Sequence, residues 1–117
     1  MSYDIYLKDE NGNTYEVEPF SEGGTQKIGG STETWLNVTY NYSFYYYKYI
    51  DKDMGIRWLY GKKANHCIHR LAYAIEQFPN EPTYQDYWAP TVGNAIHALK
   101  ILIEWCNKFP DGVFSGD

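Results

Sequence analysis

With 117 residues, 44% of them hydrophobic and 21% charged, the chain is the size of one domain and apolar enough to bury a core without a disulfide or a structural metal. No apolar run approaches the ~18 residues of a membrane span, and the opening MSYDIYLKDE lacks the basic, apolar and small-residue regions of a secretion signal, so a soluble cytoplasmic protein is expected. The net charge of −5 sits in residues 1–33, which hold seven acids and two bases, while the remainder is balanced; an acidic surface disfavours general duplex nucleic-acid binding.

Thirteen tyrosines and four tryptophans in so short a chain set the tone of everything that follows. Tyr3–Lys8 and Thr14–Glu18 alternate in polarity and flank Asn11-Gly12, a pair that favours the positive φ of a hairpin turn, so the chain is expected to open as a β-hairpin. Pro19 ends the second strand or places it at an edge. Residues 21–32 carry two Gly-Gly pairs around a short strand at Thr25–Ile28 and read as a loop or bent ribbon. Trp35–Tyr40, rich in β-branched and aromatic residues, predicts a third strand.

Past Asn41 the pattern turns helical. Ser43 suits a helix cap, and Phe44–Ile50 packs four tyrosines into one short segment. Asp51–Gly55 breaks it, Ile56–Tyr60 forms one further turn, and Gly61 punctuates. The clearest helix is Lys62–Phe78, where Ala64, Cys67, Ile68, Leu71, Ala72, Ile75 and Phe78 follow helical spacing. Pro79 stops it. The last helix begins after Pro90, with Thr91 as N-cap, and runs to Lys108. Its apolar residues cover more than one face, which implies either a central place in the core or a second subunit, and a dimer is expected. Pro110-Asp111-Gly112 turns the chain, and Val113-Phe114 folds back. The fold class is therefore α+β: residues 1–117 form a single domain with an N-terminal antiparallel β-sheet, a hairpin plus one or two further strands, packed with about three C-terminal helices.

Catalytic signatures are missing from the sequence, which has no GxSxG, HExxH, P-loop or dinucleotide fingerprint. His66 and His69, with His97, could face a metal, but their positions beside the apolar stripe suit ordinary boundary residues, so neither metal nor cofactor is expected. Cys67 and Cys106 fall on apolar helix faces, where burial makes a thiol inert. Asn37-Val38-Thr39 and Asn41-Tyr42-Ser43 match the glycosylation sequon but serve better as polar structural or binding groups. Polar and aromatic residues gather at two places, the strand-to-helix transition and the start of the last helix. Tyr40, Tyr42, Arg57, Tyr60, Trp88, Thr91 and Asn94 are expected to converge into one binding surface, an arginine and aromatic faces beside a helix N-terminus. Such a set suits a nucleotide-like ligand or a protein interface, and equally a thin core ringed by tyrosine hydroxyls.

Leu36–Ser43, Gly55-Ile56-Arg57, Tyr60-Gly61, Tyr87–Ala95 and Pro110–Phe114 together resemble a group of small proteins of phages and prophages. No activity is attached to that group, so no catalytic residue carries over. The resemblance implies an accessory factor in a bacterial host cell, a counter-defence protein that captures a nucleotide-like host signalling molecule or binds and inhibits a host protein. A small enzyme acting on a phosphorylated substrate, and a virion assembly protein, are the alternatives.

Overall fold

The computed structural model describes residues 2–18, 32–79 and 92–117. Among these residues the sheet has three antiparallel strands in the order β2-β1-β3, with β1 at Ser2–Lys8, β2 at Trp35–Thr39 and β3 at Val113–Gly116. Among the described residues three helices follow β2: α1 at Ser43–Tyr49, α2 at Ala64–Gln77 and α3 at Val92–Lys108. Two 3₁₀ turns, Tyr40–Tyr42 and Gly55–Leu59, bracket α1.

Alternation fixes the faces of the sheet. Tyr3, Ile5 and Leu7 of β1 are buried, and Ile5 and Tyr3 stand opposite Leu36 and Val38 of β2, while Leu7 stands opposite Phe114 of β3. The helices cover this face. The other face carries a polar network in which Asn37 donates to Ser2 Oγ (2.6 Å) and Asp4 Oδ1 (3.1 Å), beside Tyr6 stacked on Trp35. Asn37, half of one sequon, is thereby a buried structural group.

The opening hairpin is corrected by the structure. The turn forms as expected: Gly12 has φ +80°, and Asp9 Oδ1 accepts from the N–H of Asn11 and Asn13. Yet Thr14 meets β1 at Lys8 alone, and the segment beyond it runs antiparallel to the approach to β2, with Glu16 opposite Glu33. The reason is that a strand has two edges. Those of β1 are taken by β2 and β3, so the third segment pairs with Thr32 and Thr34 instead. Thr34, fully buried, fastens the junction by donating to Leu7 O and accepting from Tyr15 N–H.

Helix α2 begins two residues later than its periodicity predicts. Lys62 and Lys63 are held extended along β3, where Phe114 N–H bonds to Lys62 O and Ala64 N–H to Gly112 O. Ser43 is likewise corrected: it opens α1 without capping it, its Oγ bonds Tyr3 Oη at 2.6 Å, and Thr39 caps the preceding 3₁₀ turn by accepting from Asn41 N–H. The expected cap Thr91 and the strand at Thr25–Ile28 lie outside the described residues. Helix α3 is central. Val92, Ala95, Ala98, Leu99, Ile101, Leu102, Trp105 and Cys106 are all buried within one chain, so its wide apolar surface requires no second subunit. Tyr46 ties α1 to it by donating to Ala95 O at 3.0 Å. Among the described residues no helix is long and apolar enough to cross a membrane.

Candidate functional site

Arg57 is placed by the tight turn that follows α1. Asp51 Oδ2 accepts from the N–H of Asp53 and Met54, and Gly55 turns the chain with φ +60°, a left-handed value that favours glycine. The 3₁₀ turn then aims the guanidinium at the outer end of the sheet. There its Nη2 donates to Tyr40 Oη at 3.0 Å and its Nε to the main-chain oxygen of Asp117 at 2.7 Å. Its carbon lies 4.8 Å from the centre of the Tyr3 ring and 5.6 Å from that of Tyr40, and these two rings meet edge-on at 4.6 Å. Among the described residues no Asp or Glu side chain forms an ion pair with Arg57.

Tyr60 completes this corner from below. Its ring ends against Gly116, where a Cβ would come within 2.6 Å of the ring tip and 2.4 Å of Asp4 O, so glycine is required by close approach. The Tyr60 hydroxyl is buried and has no hydrogen-bond partner among the described residues. Burial pushes its pKa far above the ordinary tyrosine value, the Asp117 carboxylate pushes the same way, and Arg57 opposes. The phenol therefore keeps its proton near neutrality. Asp117 itself is fixed by its side chain, which accepts from Asp4 N–H at 3.0 Å.

Beside the corner runs an exposed apolar strip. Phe44 and Tyr47 lie one turn apart on α1 and are 68% and 38% exposed, and Met54 is 50% exposed. Tyr47 packs over Gly55 and lies close enough to raise the pKa of Tyr3, after burial as the main cause, so the strip and the corner adjoin.

Of the residues expected to converge, the structure brings Tyr40, Arg57 and Tyr60 together. Tyr42 and Asn94 are fully buried, Tyr42 edge-on to Tyr46 in the interior, so neither belongs to an exposed surface. Trp88 and Thr91 lie outside the described residues. Sequence reasoning missed Tyr3, Tyr47, Phe44, Met54 and Asp117. The exposure of Phe44 and Tyr47 had a local signal, two large aromatic residues three apart, but the packing of Tyr3 and Asp117 on Arg57 depends on the ends of the chain meeting.

The other reactive groups are placed differently. Cys67 and Cys106 are unpaired and buried, and burial pushes their thiols up to about 11 and about 12, where almost no thiolate exists near neutrality. His66 and His69 are exposed on α2. Among the described residues no group of three or more His, Cys, Asp or Glu side chains is placed to hold a metal ion. Comparison of the chain with family models, with curated proteins and with solved structures finds no match.

Proposed function

We propose that the chain is a non-catalytic binding protein, a phage-type accessory factor that works in the bacterial cytoplasm by gripping a host protein through the face of Arg57, Tyr40, Tyr47, Phe44 and Met54. The observation that carries this reading is the exposure of Phe44, Tyr47 and Met54 beside an arginine that no Asp or Glu side chain pairs among the described residues. Aromatic residues, Met and Arg are the side chains enriched where proteins meet, and a few of them at the centre of a contact supply most of its binding energy. A counter-defence role fits such a face, since blocking a host protein needs affinity and no chemistry.

A nucleotide-like host signalling ligand is the second reading, favoured by the buried Tyr60 hydroxyl, which has no partner among the described residues, near Arg57. Native mass spectrometry of the protein purified from its host separates the two, because it reports a retained small molecule, a bound protein or a second copy of the chain by mass. The expected result is a bound host protein that disappears in both Arg57→Ala and Phe44→Ser while each variant stays folded. A partner retained unchanged by both variants would overturn this face as the binding surface.

A further inference from the structure

We infer that the hollow between the Asn11-Gly12 turn and the start of β3 is a binding site for an organic cation, a primary ammonium or a guanidinium group. It shares no residue with the Arg57 face and goes beyond the reading of that face. The hollow has a volume of about 700 Å3 and is lined by Asp9, Glu10, Tyr15, Lys63, Asp111 and Val113. Small-molecule sites occupy roughly 300–1,000 Å3, so the space suits such a ligand. Three carboxylates against one ammonium leave the walls net negative, and a cation is the charge they select.

Main-chain pairing holds these walls in place. Val113 stands between Lys8 of β1 and Lys63, each opposite it in an antiparallel pair, and Lys8 also meets Thr14, which brings Tyr15 alongside. Asp9 is fixed by the N–H groups of Asn11 and Asn13, and Asp111 sits in the turn that Gly112 N–H closes on Phe109 O. Tyr15 stacks on Phe109 at 4.2 Å, with Gly112 fitted so closely against it that a Cβ would come within 3.0 Å of the ring. Burial first, and then the charges of Asp9, Asp111 and Glu10, raise the Tyr15 pKa, so carboxylates from two separate turns act on one phenol. Yet the opposite charges in the hollow do not close on one another: among the described residues Lys63 forms no ion pair with Asp9, Glu10 or Asp111. Carboxylates gathered without a counter-ion repel, and an incoming cation relieves that cost. The ring of Tyr15 and the side chain of Val113 suit the carbon stem of an amine or guanidine. A bare metal ion has no use for those apolar walls, and among the described residues no group of three or more His, Cys, Asp or Glu side chains is placed to hold one.

The test is an NMR titration of the whole chain with butylammonium at constant ionic strength, with butanol as the neutral control. The expected result is that the main-chain N–H signals of Glu10, Asp111 and Val113 move together and saturate, while butanol leaves them still. Asp111→Asn and Glu10→Gln should each weaken binding about threefold, the scale of one solvent-exposed charge pair, and Lys63→Gln should tighten it by a similar factor. Both acids are exposed, so each variant is expected to fold, and should one fail the other reads the same loss. Parallel titrations with spermidine and with a capped Gly-Arg-Gly peptide identify the source of the cation, a free amine or a side chain of a partner protein, by whichever saturates at the lower concentration. Signals that stay still through ~50 mM butylammonium, far weaker than any functional affinity, would overturn the site. So would equal shifts with butanol, binding that Asp111→Asn and Glu10→Gln together leave unchanged, or binding that Lys63→Gln weakens, which is the behaviour of an anion site.

Discussion

Two arginines lie against aromatic rings on this small surface, and their surroundings differ. Arg70 stacks on Trp58 at 4.2 Å, with Lys62 4.1 Å from the same ring, and its Nη1 donates to Ile50 O at 2.8 Å and pairs with Asp51 at 3.6 Å. Its charge is answered by a carboxylate and by a carbonyl at the end of α1, where a cation is favoured. Arg57 lies over Tyr3 at 4.8 Å, and its hydrogen bonds go to Tyr40 Oη and to the main-chain oxygen of Asp117, with no Asp or Glu side chain in an ion pair with it among the described residues. The first arrangement is a clamp closed by groups of the chain itself. The second leaves the guanidinium without an acidic side chain among the described residues, which is the feature the proposed binding role uses.

The largest expected effect breaks this comparison most sharply. Arg57→Ala should cost about 2 kcal/mol or more of binding to the host partner, the range of an arginine anchor in an interface. Arg57→Lys should lose nearly as much, because a point charge does not replace the planar fork. Both are measured by calorimetric titration once the partner is purified. Arg70→Ala should do the reverse, lowering stability by about 1–2 kcal/mol in urea unfolding through the lost hydrogen bond and ring contact, with affinity unchanged.

Next come the buried thiols, which belong to neither arginine and calibrate the core. Cys67→Ala and Cys106→Ala should each cost about 1 kcal/mol, at the low end for removing a small buried side chain. Thiol labelling of the folded protein at pH 8 should proceed only as fast as the chain opens. The pH dependence has a defined sign. The unfolded chain ionises its thiols near 9, whereas the folded ones wait until about 11 and about 12, so above pH 9 the folded state binds more protons and stability falls progressively toward pH 12. Urea unfolding across that range checks it, and a flat profile would mean the thiols are not buried.

The smallest effect lies on the acid side and separates the arginines again. Asp51 is held below the ordinary carboxylate range chiefly by the N–H of Met54, with Asp53 N–H and Arg70 adding to it. Its contribution is present above the unfolded pKa and is lost as pH falls through that depressed value. The Arg70 clamp should therefore loosen only in acid, visible as a change in Trp58 fluorescence. Arg57 bonds the Tyr40 phenol rather than a carboxylate side chain, so no comparable acid-side loosening is expected of that contact.

How far the sequence foretold this molecule depends on how local each feature is. Helix α2 was legible because its apolar residues repeat within the helix itself, and the Asn11-Gly12 turn because glycine chemistry is a local matter. β3 was legible only as a fold-back, since a four-residue strand gains its identity from pairing with β1 a whole chain length away. The same distance concealed the competition for β1 that diverted Thr14–Glu18 from its expected partner. At the site, Arg57 and Tyr40 stood out by residue type and nearness in sequence. Tyr42 and Asn94 drew attention as polar groups at element ends, but both ends are roofed by the core, which polarity alone does not reveal. Tyr3 and Asp117 were invisible because they reach Arg57 from opposite termini of the described structure.

The central claim is that Arg57 recognises and Arg70 supports. It is tested most directly by native mass spectrometry of three proteins purified in parallel from the host: the unaltered chain, Arg57→Lys and Arg70→Lys, each with its thermal melt. The account predicts a retained partner on the unaltered chain and on Arg70→Lys, none on Arg57→Lys, and a lowered melting temperature for Arg70→Lys alone. A partner still bound to Arg57→Lys, or a melting temperature that falls with Arg57→Lys as it does with Arg70→Lys, would contradict it.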